Sequence, residues 1–312
     1  MNKKTKNLME LTKAEFSNWL NSFDTVFSDC DGVLWTQGLL ISQPIDGVPE
    51  AIALFKSLGK DVYFVTNNGI VTRHEIWEKT RTFGLDIDET RIIAPIQTII
   101  DFLKARNFQQ KVYVLGPEAI RTSLSEAGIE SFGVDPELVP GKIDDYSAQQ
   151  VVATQDNDVG AVVVTLDVNF TYAKLWKATN YISSNADCHF ISTNLEAVHC
   201  YPEYCVPGTG ALLSAVESCV ERKALQLGKP NPEICQALIK SGKVVPGRTL
   251  MIGDTCEIDV LFGHRCGFQT LLVGTGPSID HELKEVLQNP NANPNYIPDF
   301  FVPSLGDIMK LV

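Results

Sequence analysis

The chain has 312 residues, 44% of them hydrophobic and 21% charged, with a formal net charge of −12. That size and composition support one large core or two moderate ones and exclude compositional disorder. The acidic balance excludes a nucleic-acid surface, which needs a basic stripe. Charges also break every apolar run short of the ~20 residues that a membrane span requires. An anionic small substrate stays admissible, because a few local cations and a metal reverse the sign inside one cleft.

The basic start, Met1-Asn2-Lys3-Lys4-Thr5-Lys6, lacks an apolar segment before Glu10 and reads as a frayed tail, not a signal peptide. Eight cysteines without a C-x-x-C pair predict reduced thiols in a cytoplasmic protein, with neither a zinc site nor a disulfide framework. Thr12 and Glu15 form a capping-box pattern, so a short helix is expected through about Phe23. Asp24 to Asp29 follows as a strand that is apolar in its middle, as a central parallel strand should be. A helix over Gly47 to Leu58, a strand over Asp61 to Thr66 and a helix over Thr72 to Phe83 continue a β-α-β-α alternation.

From about Ile92 a second α/β unit begins. Helices are expected over Gln97 to Arg106, Pro117 to Ala127 and Thr171 to Ser183, with strands over Lys111 to Leu115, Gly160 to Leu166 and His189 to Ser192. The stretch Asn194 to Gly210, rich in Pro, Gly and Tyr, reads as a loop. Beyond it the pattern returns to helices over Ala211 to Arg222 and Pro232 to Ser241, and a strand over Thr249 to Ile252. A helix over Glu257 to Arg265, a strand over Gln269 to Val273, a helix over Ile279 to Leu287 and a last strand and helix close the chain. The layout predicts an α/β fold: a doubly wound, Rossmann-like parallel sheet core (1–95 and 208–312) with a smaller α/β cap domain (96–207) inserted in it.

Three of the core strands end in polar clusters: Asp29/Asp31, Thr66-Asn67 and Gly253-Asp254. In an open parallel sheet, ligands bind at that edge. Taken alone, Asp29 and Asp31 fit either a solvated turn or a pair held together by a divalent cation. Asp29 and Asp254, with a backbone carbonyl, suit Mg2+, which favours a few hard oxygen ligands. Thr66 and Asn67 offer neutral donors to phosphate oxygens, and Lys229 in Gly228-Lys229-Pro230 offers fixed positive charge.

Asp29-Cys30-Asp31-Gly32-Val33-Leu34-Trp35, Thr66-Asn67-Asn68, Gly228-Lys229-Pro230-Asn231-Pro232 and Gly253-Asp254 followed by Asp259 stand in the order of four motifs. In this the chain resembles the haloacid dehalogenase superfamily phosphatases, and among them the phosphoglycolate, pyridoxal and 4-nitrophenyl phosphatase group. Asn169 to Leu175, Pro207 to Gly210 and Leu261 to Gly267 are similar to that group as well.

The resemblance implies a phosphomonoester hydrolase. Asp29 would be the nucleophile and Asp31 the acid and base. Mg2+ would be held by Asp29, the Asp31 carbonyl and Asp254. Thr66, Asn67 and Lys229 would cradle phosphate, and Asp259 would support the site, although a helix residue in a solvated turn also fits Asp259. It also implies that the cap selects a small phosphorylated metabolite, with phosphoglycolate preferred over pyridoxal 5'-phosphate or a broad 4-nitrophenylphosphatase range. His199 and Leu166 are the candidate selecting residues, and Leu166 replaces an aromatic residue of the pyridoxal phosphatases. A homodimer through the cap is left open. Gly69-Ile70-Val71 depart from the group's serine and basic residue, and Thr255 and Ile258 from its arginine and threonine. A catalytically weak binding protein on the same fold is the rival reading from another class.

Overall fold

Central strands of a parallel sheet are covered on both faces, so every residue in them must be buried. Thr25–Ser28 and Thr249–Gly253 meet that demand with every residue buried. The computed structural model describes residues 5–38, 42–139, 155–200, 204–276, 289 and 293–312. The helix expected over Ile279 to Leu287 lies outside them. The chain divides into two units: Met1–Thr66, Arg73–Ile93 and Lys229–Val312 form one, Asn67–Thr72 and Ala94–Gly228 the other.

The first unit is built on a seven-stranded sheet in the order Lys6–Asn7, Phe300–Val302, Gln269–Val273, Thr249–Gly253, Thr25–Ser28, Asp61–Val65, Ile92–Ile93. Every pairing in it is parallel. Thr25–Ser28 lies between Thr249–Gly253 and Asp61–Val65, so the three polar strand ends fall on neighbouring strands. Thr25–Ser28 has its successor in sequence, Asp61–Val65, on one side and the late strand Thr249–Gly253 on the other, which is the crevice position of a doubly wound sheet. Phe27 and Tyr63 stack across the strands with ring centroids 5.1 Å apart, and Phe262 and Phe268 close the cluster beneath them. Thr12 caps Lys13–Leu20 with the reciprocal Glu15 contact read from the sequence. Lys6 pairs with Phe300 at the sheet edge and the Thr5 hydroxyl donates to the Pro298 carbonyl at 2.8 Å, so these two residues are held where the sequence predicts fraying.

The second unit carries a five-stranded parallel sheet in the order Leu225–Gln226, His189–Ser192, Val159–Val164, Lys111–Leu115, Ser131–Phe132. The sequence returned the chain to the core at 208, but the structure keeps it here until Gly228. The reason is packing: Leu213 and Val216 of the helix Thr209–Val220 sink into the core around Val162 and Tyr181, and Leu225 pairs with Ile191. The segment read as a loop contains a hairpin, with Val198–Cys200 antiparallel to Cys205–Pro207. Cys205 is disulfide-bonded, a correction to the reduced thiols expected. No helix among the described residues is long and apolar enough to cross a membrane.

Candidate active site

Asp29 follows directly on the strand Thr25–Ser28, and its backbone N–H donates to the Ile252 carbonyl at 2.8 Å, which extends the pairing with the neighbouring strand. The chain then turns sharply through Gly32, whose φ is +82°. A Cβ there would lie 2.1 Å from Asp254 Oδ2, so only glycine admits the close approach of that carboxylate. Asp254 follows the buried strand Thr249–Gly253, and a Cβ on Gly253 would lie 2.0 Å from Asp259 Cβ. Two glycines thus let three acidic residues crowd together.

Lys229 sits among them with about 1% of its surface exposed. Its Nζ lies 2.6 Å from Asp29 Oδ1 and 2.7 Å from Asp259 Oδ1. The other Asp259 oxygen, Oδ2, accepts the backbone N–H groups of Asp254 and Thr255, each at 3.2 Å. Both Asp259 oxygens are therefore engaged, and Asp259 is buried instead of standing in a solvated turn. Its position fixes the Lys229 ammonium and the loop that carries Asp254. Asp254 Oδ1 accepts from the Thr255 hydroxyl at 3.0 Å. The departure at Thr255 thus supplies a donor to a site carboxylate, a role that the sequence reading did not foresee.

Carboxylate oxygens of Asp29, Asp254 and Asp259 come within 4.8 Å of one another, and all three residues are buried. One ammonium faces three carboxylates, which leaves net negative charge out of water. Burial first, then the Asp259 charge against the pull of Lys229, pushes Asp29 up to about 8. Burial and the Asp29 charge likewise raise Asp254 well above the usual carboxylate range. Lys229 is shifted the other way: burial opposes its charge, but Asp259 and Asp29 outweigh burial and hold the ammonium. Such a set is relieved by a cation, and the donors are hard oxygens of the kind Mg2+ takes. With Oδ1 of Asp29 on Lys229 and both Asp259 oxygens engaged, the residues that fit a metal are Asp29 and Asp254.

Thr66 is buried at the end of Asp61–Val65, and its N–H donates to the Ile93 carbonyl at 3.1 Å. Asn67 is grouped with the second unit, where its carbonyl accepts from Asn194 Nδ2 at 3.4 Å. Gly69 belongs there too. A Cβ on it would lie 2.9 Å from Thr165 Oγ1 and 3.2 Å from Thr193 Cγ2, which explains glycine where the resembling group has serine. Leu166 is half-buried just beyond the strand Val159–Val164. His199 is half-buried in the hairpin opposite Val206, with its Nε2 3.0 Å from the place of a Gly208 Cβ. Asp31 is half-buried, and its Oδ1 accepts the Trp35 indole N–H at 2.8 Å, a contact with no counterpart in the sequence reading.

Comparison with known proteins follows the same lines. The profile of the haloacid dehalogenase-like hydrolases matches residues 26–130, and a second one described as HAD-hydrolase-like matches 226–308. Phosphoglycolate phosphatase 2 of Arabidopsis thaliana is 35% identical over 307 residues, covering 97% of this chain and 97% of the plant protein. Glycerol-3-phosphate phosphatase of Gallus gallus is also 35% identical, covering 93% of this chain and 92% of its own. Among solved structures, p-nitrophenyl phosphatase from Archaeoglobus fulgidus superposes with a TM-score of 0.75 at 24% identity, over 93% of this chain and 100% of that one.

Proposed function

The chain belongs to the haloacid dehalogenase-like hydrolase family, and on that premise we propose that it is a Mg2+-dependent phosphomonoesterase acting on a small phosphorylated alkyl metabolite, phosphoglycolate before others. The observation that carries this reading is the buried group in which Lys229 Nζ stands 2.6 Å from Asp29 within a cluster of three carboxylates. An ammonium beside a nucleophilic carboxylate draws in an anionic phosphoryl group, and burial strengthens the attraction.

In the proposed reaction a carboxylate oxygen of Asp29 attacks phosphorus, and the ester P–O bond breaks. The departing alkoxide oxygen takes a proton from Asp31. Asp31 then takes a proton from water as the water oxygen bonds to phosphorus and the Asp29–phosphate bond breaks. Inorganic phosphate leaves, and both carboxyl groups are restored. Thr66, Asn67 and Lys229 are assigned to the phosphoryl oxygens, and Asp259 holds Lys229. Asp29, Asp254 and the Asp31 backbone carbonyl would hold Mg2+, whose chemistry is to neutralise charge where two anions meet.

Phosphoglycolate is favoured by the plant relative, and the equal identity of the avian relative supports glycerol 3-phosphate as a second reading. Selection between them is assigned to the second unit, with Leu166 and His199 as the residues to vary. The test is a substrate panel on purified protein with Mg2+ and with a chelator. The expected result is hydrolysis that a chelator abolishes and Mg2+ restores, with kcat/KM for the two alkyl esters at least about tenfold above pyridoxal 5'-phosphate, a gap of about 1.4 kcal/mol. Metal-independent turnover, or a preference for the pyridoxal ester, contradicts the reading.

A further inference from the structure

Asp31 is assigned to move protons, yet a carboxyl group with free rotation would present either oxygen to the leaving group. Its surroundings remove that freedom. Among the described residues the one side-chain donor to the Asp31 carboxylate is the Trp35 indole, Nε1 to Oδ1 at 2.8 Å. Both residues lie on one closed turn, in which Gly32 N–H donates to the Trp35 carbonyl at 2.8 Å and Leu34 N–H to the Cys30 carbonyl at 2.8 Å. The indole is itself held in place. It is 2% exposed, Lys79 Nζ stands 4.3 Å over its ring, and Phe83 packs at 5.9 Å between centroids. Lys79 in turn is tied to Ser42 Oγ at 2.9 Å.

We infer that Trp35 is a positioning residue for Asp31, fixing which carboxyl oxygen gives its proton to the leaving group. An indole N–H only donates, so the oxygen facing it must accept in every protonation state. The mobile proton therefore resides on Oδ2. It passes from Oδ2 to the alkoxide oxygen as the ester P–O bond breaks and returns there from water in the second step. A residue that only filled the core would leave this choice of oxygen untouched. The sequence pattern Asp-x-x-x-Trp carries the contact, because the turn at Gly32 brings the fourth residue after Asp31 back beside it.

The inference rests on the phosphomonoesterase reading, and leaving-group dependence separates the two. An alkoxide needs a proton to depart, whereas 4-nitrophenolate is a weak base that departs without one. Trp35→Phe keeps a ring and removes the donor. Site-specific replacement of Trp35 by benzothienylalanine keeps the bicyclic shape, with sulfur in place of N–H, and serves where the Phe variant folds poorly. Each is compared with wild type by kcat/KM on 4-nitrophenyl phosphate and on the alkyl phosphate that the wild type turns over fastest. The expected result is a loss of about 10- to 100-fold on the alkyl ester, a fraction of the usual worth of general acid catalysis, and of less than about threefold on the aryl ester. Equal losses on both esters, or wild-type rates on both, overturn the positioning role. Failure of the wild type itself to hydrolyse either ester overturns the underlying reading instead.

Discussion

Replacing Asp29 with asparagine is expected to abolish phosphomonoester hydrolysis, with kcat falling by about 10^4-fold or more, as for loss of a nucleophile elsewhere. The amide keeps the shape of the side chain and retains an oxygen for Lys229, which stands 2.6 Å from Asp29 in the native protein. What it removes is the anionic oxygen that bonds to phosphorus. Binding of substrate should survive in part, because Lys229 and Thr66 are untouched. The same change has a second consequence for stability. Asp29 is one of three buried carboxylates facing one ammonium, and burial is what pushes it up to about 8. Metal-free Asp29→Asn should therefore unfold at a higher temperature than metal-free wild type, while Mg2+ should stabilise the wild type more than the variant. Thermal unfolding with and without Mg2+, alongside steady-state rates, reads both effects. A variant that retains a tenth of wild-type kcat would exclude Asp29 as the nucleophile.

Lys229→Met carries the second large effect. The ammonium is buried between Asp29 and Asp259, at 2.6 Å and 2.7 Å. Removing one partner of a buried ion pair leaves the remaining charge without compensation and costs about 3–5 kcal/mol. Here two carboxylates lose their partner at once, so the upper part of that range is expected in urea unfolding. Activity should vanish as well, because the fixed charge assigned to the phosphoryl group is gone. The double variant Lys229→Met/Asp259→Asn separates the two consequences. It should regain part of the lost stability, since one stranded carboxylate is neutralised, and none of the activity. Recovery of turnover in the double variant would show that Lys229 acts only as a structural counter-ion.

Much of this arrangement was legible because apolar strands that end in polar residues are unusual. Asp29, Thr66 and Asp254 each follow a run in which burial is nearly continuous, and the structure sets those runs side by side. Local signals such as the Thr12 cap also read directly from residue type. What escaped depends on contacts distant in sequence. The helix Thr209–Val220 has no local feature that says which sheet it packs on; Leu213 and Val216 place it in the second unit. The Val198–Cys200 hairpin lacks the alternation of a strand, and the disulfide bond of Cys205 leaves no C-x-x-C signal. From the sequence Asp259 fits either a support for the site or a solvated helix residue, and the glycine at 253 brings it against two backbone N–H groups. Trp35 enters the sequence reading only as the end of the first motif, and the turn at Gly32 brings its indole donor to Asp31.

The central claim is a covalent phosphoryl group on Asp29, and acid-quenched single turnover tests it most directly. Asp31→Asn slows the water attack, so with a radiolabelled aryl phosphate, which departs without a proton, the intermediate should accumulate. The account predicts stoichiometric label on the peptide that contains Asp29, released by hydroxylamine as an acyl phosphate is. Product formed with no protein-bound phosphate, or label on any other residue, would contradict it.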